Sequence, residues 1–332
     1  MSIKSKRIIK NAIDRKKCTQ QSNNITKICI DQTTFLSLNN INGIPSTYTD
    51  MIEYTVKGNV NKIYLLSHND ESFLDTADIE FLVKIIDITI DTIYKMFSIQ
   101  NKKTFNLIIL GSTERKQFPC DRYNKITEDH VNSADTTFYD TGSILIRIYR
   151  QEELIKVLIH ETIHFTQIEK QVLNVNKKFN INRELHLNEA IVETLATYIN
   201  CQIYSEINKV SINELIYNEI RFGILQSAKI LYHFGFSSIS DFLTNKSKKI
   251  VQTTSVFEYH ILKTILLINF EKFIKIIRSN ESLITLLMDT FNDYNYQKRV
   301  DKYIKKVKNM PHNIKCTFRM TITDTSFKKN DN

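Results

Sequence analysis

Residues 158–164 read Leu-Ile-His-Glu-Thr-Ile-His, inside a segment otherwise rich in Leu, Ile and Lys. Burying two imidazoles and a carboxylate without partners is costly, so something must satisfy them. His160 and His164 are four residues apart, and on a helix they project from one face, one turn apart. That geometry lets two imidazole nitrogens reach one zinc ion at about 2.0–2.1 Å. Glu161 lies beside the first histidine, where it can act on a water at the metal without being a ligand. His-Glu-x-x-His on a helix therefore points to zinc-dependent hydrolysis. About one chain in a hundred of this histidine content carries the pattern by chance, and its placement in an apolar helical segment is the context it requires. The ordinary alternative is a pair of satisfied core histidines.

A catalytic zinc needs a third protein ligand and one open position. The version with a histidine six residues after the second would need it at position 170 with glycine at 167; Lys170 and Gln167 stand there. The segment Asn188-Glu189-Ala190-Ile191-Val192-Glu193 offers carboxylates instead, Glu189 lying 25 residues after His164. On a second helix folded back antiparallel, Glu189 is a hard oxygen ligand. Glu193, one turn on, is placed to accept the spare N–H of a zinc-bound histidine. The competing reading of this carboxylate pair is a solvated helix face, against which the apolar residues bracketing both count. His186 is a neighbour whose spacing does not match, and His68, His130 and His312 have no supporting context.

The combination of His-Glu-Thr-Ile-His and Asn-Glu-Ala-Ile-Val-Glu resembles the gluzincins, the thermolysin-like and aminopeptidase-like zinc metallopeptidases, over roughly residues 134–200. The resemblance implies zinc bound by His160, His164 and Glu189, Glu161 as the base and Glu193 as the acid behind the ligands. It also implies a zincin-like fold with an edge strand ahead of the motif helix for an extended peptide; Ser133–Tyr139 is the natural candidate. A Tyr or His well after the third ligand would stabilise the oxyanion, and Tyr259 or His260 is offered, with His233 a weaker alternative. For Tyr259 and His260 an ordinary helix-face aromatic and a surface histidine are equally good readings. The Gly-x-Met-Glu-Asn stretch that captures a free N-terminus in the aminopeptidases is missing, which favours an endopeptidase.

The elements that must position these residues form an α+β pattern. The patterns at 51–57 and 62–68 flank Gly58-Asn59-Val60 as a hairpin. Residues 73–97 have helical apolar spacing and an Asp-rich start, 105–112 read as a buried strand, and 135–150 as two strands joined across 140–143. Beyond Arg150 the pattern turns helical: 151–170, opened by acidic residues that suit a helix N-terminus, then 183–204, 212–234, 238–245, 254–278 and 281–293. The expected organisation is a basic, flexible N-terminus (1–25), an α+β subdomain with a mixed sheet, a backing helix and the histidine helix (26–170), a helical subdomain with the third ligand (171–296), and a basic tail (297–332).

The whole chain sets the limits. Its 332 residues can bury a sizeable core, and 6 Gly and 3 Pro argue for long helices and against a β-sandwich. Cys18, Cys29, Cys120, Cys201 and Cys316 are odd in number and scattered, as reduced thiols of an intracellular protein are. No apolar run of signal-peptide or membrane-spanning length is present. The abundance of Ile, Asn and Lys fits an AT-rich genome such as that of a large DNA virus, and the expected location is the viral or host-cell cytoplasm. A net charge of +9 allows nucleic acid as a partner, but the lysines are dispersed and crowd only at 4–17 and 297–308. The leading expectation is thus a zinc peptidase acting on a peptide or protein. Its rivals are a metal-retaining peptidase fold that binds with little turnover, and a basic protein associated with nucleic acid.

Overall fold

A computed structural model describes residues 25–31, 50–67, 73–99, 103–119, 121–169, 178–180, 184–279 and 281–324. The expectations for the basic N-terminus, for His68 and for the last eight residues lie outside the described residues. The chain is α+β and divides into two compact units. The first comprises the described residues up to Arg115 together with Ser133–Thr166, and the second comprises Lys116–Asn132 and Gln167–Asp324.

The first unit is built on a mixed sheet of six strands in the order β1-β2-β3-β4-β6-β5. These are β1 (Ile25–Asp31), β2 (Asp50–Val56), β3 (Val60–Ser67), β4 (Phe105–Ser112), β5 (Ala134–Phe138) and β6 (Ile144–Arg150). Strands β1, β2 and β3 run antiparallel in succession, β3, β4 and β6 are parallel neighbours, and β5 returns antiparallel to β6 at the edge. Central parallel strands are covered on both faces and read as continuous apolar runs. Accordingly Phe105, Leu107, Ile108, Ile109 and Leu110 of β4 are all buried. Met51, Tyr64, Leu66, Ile108, Leu110 and Leu145 pack together on one face, with Tyr149 against them.

Between β3 and β4 runs α1 (Thr76–Phe97), which starts where the Asp-rich sequence predicts. Asp75 accepts from the Asp78 amide at 2.8 Å and Asp78 returns the bond at 3.2 Å, a reciprocal cap that satisfies two of the amide donors orphaned at a helix start. The histidine helix, α2 (Leu154–Thr166), packs on α1, β5 and β6. It begins later than expected and carries no acidic residue in its first turn. Glu153 takes a left-handed conformation (φ 60) and is buried. The turn into α2 is fixed instead by Gln151, whose amide and side chain donate to Ser112 and Gly111 carbonyls at 2.8 and 2.7 Å.

The second unit opens its helical part with a short pair, β7 (Lys178–Asn180) and β8 (Glu184–His186). Helices α3 (Leu187–Asn208), α4 (Ile212–His233) and α5 (Ile239–Thr244) follow. The continuous helix expected over 254–278 is interrupted: a π turn (Glu258–Leu262) leads into α6 (Lys263–Ile268), and the chain breaks at Asn269 before α7 (Phe270–Ser279). Asn269 caps that break with its own side chain, donating to the Ile265 carbonyl and Thr290 hydroxyl. Then come α8 (Leu283–Asn292) and α9 (Tyr294–Val307). The basic segment at 297–308 is mostly within α9, where Tyr296, Val300, Ile304 and Val307 are buried at helical spacing and Lys298, Lys302, Lys305 and Lys306 face solvent. Those lysines form the polar side of an amphipathic helix.

After α9 the chain passes through 317–324 without a helix or strand, and side chains of the helices supply its backbone partners. Asn200 donates to the Thr323 carbonyl at 2.9 Å, Gln226 to that of Arg319 at 3.0 Å, and Lys263 to that of Met320. The buried carboxylate of Glu219 accepts from the Ile322 and Thr323 amides at 3.1 and 2.8 Å. Buried backbone groups need such partners, which accounts for several polar residues on helix faces that would otherwise be apolar.

Contact between α4 and α6 depends on Gly223: a Cβ there would lie 2.1 Å from Thr264 Oγ1. Gly223→Ala is therefore expected to destabilise the protein by about 1–3 kcal/mol through overpacking, despite the ~1 kcal/mol that alanine gains over glycine in a helix. Urea denaturation checks this, and Thr264→Ala in the same chain should recover part of the loss because the two sites couple.

Candidate metal centre

Helix α2 is enclosed almost all round; of its thirteen residues only His164 is not buried. Its ends are pinned within the first unit. Gln151 ties the start to β4, and the Phe165 ring lies 4.7 Å from that of Phe105 near its end. His160 and His164 stand one turn apart, as the spacing predicts, with Nε2 atoms 3.1 Å from each other. Two nitrogens on one tetrahedral zinc are separated by roughly 3.3 Å, given zinc–nitrogen bonds of about 2.0–2.1 Å. The pair thus fits a shared ion, and the chemistry of a zinc site suits it: imidazole donors from a rigid, largely enclosed helix.

Glu161 faces the edge of the sheet. Its carboxylate accepts from Thr136 Oγ1 at 2.8 Å, and Thr136 lies on β5. A hydroxyl bond to an ionised carboxylate is among the stronger neutral-donor interactions, and it fixes where the carboxylate oxygens sit. The next residue of the strand away from the motif side, Asp135, accepts from Arg147 at 3.0 and 2.7 Å and from the Tyr149 hydroxyl. Burial favours protonation of Asp135, but these donors outweigh it and hold the carboxyl below its usual range. Tyr149 is pushed upward by burial and by its bond to Asp135. Sequence reasoning singled out Ser133–Tyr139 as an edge strand but not Thr136 as the partner of Glu161. A threonine in an alternating strand carries no local signal of that role.

In the second unit, Glu189 lies in the first turn of α3 and is half-buried, with Glu193 one turn on. Glu193 is fully buried, 3.8 Å from Lys263 Nζ, itself 1% exposed. The solvated-face reading of Glu193 is thereby excluded. Lys263, whose ammonium also donates to the Met320 carbonyl, went unnoticed in the sequence because a lysine in an apolar run resembles a snorkelling surface residue. His186 sits exposed at the N-cap of α3, with its backbone amide donating to Glu258 at 3.2 Å.

Tyr259 and His260 fall in the π turn, a feature often found at functional sites. Tyr259 is half-buried. His260 is not the surface histidine weighed above: it is completely enclosed, stacked on Phe318 at 5.0 Å and 12°, and neither ring nitrogen has a hydrogen-bond partner among the described residues. Desolvation, reinforced by Lys263, holds it well below the usual histidine range and hence neutral. A side chain with no exposed surface does not suit contact with a substrate oxyanion, so of the two residues Tyr259 alone keeps that role open. His233 is buried and bonded through Nε2 to the Asn124 carbonyl at 2.8 Å. Cys201 and Cys316 are free thiols, Cys201 raised by burial.

Comparison with known proteins gives one distant relative. The chain is similar to "Uncharacterized protein R210" of Acanthamoeba polyphaga mimivirus, 27% identical over 161 residues. That stretch is 44% of this chain and 42% of the viral protein, so the likeness spans less than half of either. No family model and no solved structure matches the chain.

Removing the ammonium that faces Glu193 tests the buried pair. Breaking a buried ion pair from one side typically costs about 3–5 kcal/mol, so Lys263→Met should lower the urea midpoint strongly. Glu193→Gln in the same chain should restore a measurable part, since the amide carries no charge to leave behind.

Proposed function

We propose that the chain is a zinc-dependent endopeptidase of zincin-like fold, with His160, His164 and Glu189 as the metal ligands. The observation that carries the reading is the pair of imidazole Nε2 atoms 3.1 Å apart on a buried helix, beside a carboxylate held by the edge strand. Zinc, when bound, supplies a positive charge that polarises the scissile carbonyl and acidifies the attacking water. Glu161 accepts the proton of that water and returns it to the leaving amine. Thr136 keeps the Glu161 carboxylate oriented, and β5 offers main-chain groups along which an extended peptide can pair. Because Thr136 belongs to β5, the strand that would align the substrate also fixes the base.

The second reading, a metal-holding peptidase fold with little turnover, has one observation in its favour: His260 is enclosed and leaves Tyr259 as the candidate donor to an oxyanion. Nucleic-acid association rests on net charge alone, and its densest described segment is the solvated face of α9. No described helix is long and apolar enough to cross a membrane. The likeness to a viral protein fits a viral source for the chain.

Metal analysis of the purified protein should find one zinc per chain. His160→Ala, His164→Ala and Glu189→Ala should each lose it; full zinc retention in Glu189→Ala would overturn the third ligand.

Glu161→Gln should keep zinc and the fold but abolish peptide cleavage, because an amide cannot accept the proton. Equal cleavage by wild type and Glu161→Gln sinks the mechanism, whereas a zinc-loaded wild type inactive across a broad peptide library selects the binding reading.

A further inference from the structure

The second unit contains a cavity of about 90 Å³ that takes no part in the proposed peptidase chemistry. One water needs roughly 10–15 Å³ of such space, so a multi-atom ligand fits. Its polar lining is strongly biased: Arg122, Lys229, His233, His312 and Lys315 contribute, and no Asp or Glu does.

Lys229 is the central residue. It lies on α4, is 1% exposed, and directs two ammonium hydrogens to the Ile314 and Thr317 carbonyls. An ammonium has three donors; the third is left toward the cavity, which the Phe118 ring 5.4 Å from Nζ also lines. A buried cation normally has a carboxylate partner. Among the described residues no carboxylate pairs with Lys229, and burial holds it down to about 7. At the rim, the exposed Arg122 spends Nε and one Nη2 hydrogen on the Tyr232 carbonyl, with its guanidinium 4.2 Å over the Tyr232 ring. Its Nη1 donors remain. The Lys315 side chain makes no hydrogen bond or ion pair among the described residues, its backbone amide alone being engaged, with the Pro311 carbonyl at 2.9 Å.

We infer that this cavity binds a phosphate group, with Lys229 at its floor and Arg122 and Lys315 at its rim. The tetrahedral anion supplies both the missing countercharge and several strong acceptors for donors converging from different segments. The competing account is that Lys229 only ties the 314–317 backbone to α4, in which case no anion is called for.

Calorimetric titration of the full chain with inorganic phosphate, and separately with glycerol phosphate, tests the inference against sodium chloride and acetate at matched ionic strength. Saturable binding of either phosphate is expected, with a thermal midpoint that rises with its concentration. Preference for the free ion or for the ester tells which source the site serves. Arg122→Gln and Lys315→Gln should each weaken binding about tenfold, the loss of one charge-assisted contact, and Lys229→Met should abolish it. The rim variants keep the test sound should Lys229→Met fail to fold. An equal effect of acetate, no saturable binding, or binding unchanged in the Arg122→Gln/Lys315→Gln double variant overturns the assignment. None of these variants touches His160, Glu161, His164 or Glu189, so the outcome is independent of the peptidase proposal.

Discussion

Two imidazole nitrogens 3.1 Å apart on an enclosed helix admit few protonation states, and α2 is built around that constraint. If the two rings bond each other, one Nε2 must carry a hydrogen and the other must not, so the tautomers differ. If both ligate one metal, both Nε2 atoms must be bare and both hydrogens move to Nδ1. Two imidazolium rings at this distance, largely out of water, would repel strongly. The arrangement therefore favours neutral rings and is indifferent, in shape, to whether a proton or an ion sits between them. Ligand deprotonation and metal binding are coupled in any such site.

Rigidity is what makes the separation meaningful. α2 is held at its start by Gln151 on the β4 carbonyls and at its end by Phe165 against Phe105, both within the sheet-bearing unit. Neither anchor carries the chemistry. They fix a helix whose only partly exposed side chain is His164, so the chemistry-bearing residues inherit their geometry from the parallel core strands. Thr136 extends the same logic to Glu161.

Legibility in the sequence followed periodicity. Strands β2 to β6 and helices α1 to α4 were readable because their apolar residues repeat at periods near 2 or 3.6 and their turns use Gly58-Asn59 or Thr141-Gly142. The His-Glu-x-x-His pattern was readable because its spacing is local. What escaped depends on distant segments. The π turn at 258–262 looks apolar and helical from its sequence, yet Glu258 within it accepts bonds from His186 and Gln252. The start of α2 was misplaced because Glu153, which reads as a good first-turn acid, adopts a left-handed conformation instead.

The same distinction explains the buried charges. Glu193, Glu219, Lys229 and Lys263 all sit on helices of the second unit and are at most 1% exposed. The groups that satisfy them lie 57 or more residues away in sequence, so no local pattern names them. Three of the four serve residues 314–323, which run from a short helical turn (His312–Cys316) into chain without helix or strand: Glu219 takes amides there, and Lys229 and Lys263 take carbonyls. A carboxylate is matched to donors and ammoniums to acceptors, as backbone polarity requires. Glu193 differs in facing a countercharge, the Lys263 ammonium 3.8 Å away. The helical unit thus packs over residues 314–323 by burying charges that backbone groups satisfy, and Lys229 keeps one ammonium donor beyond its two carbonyl bonds.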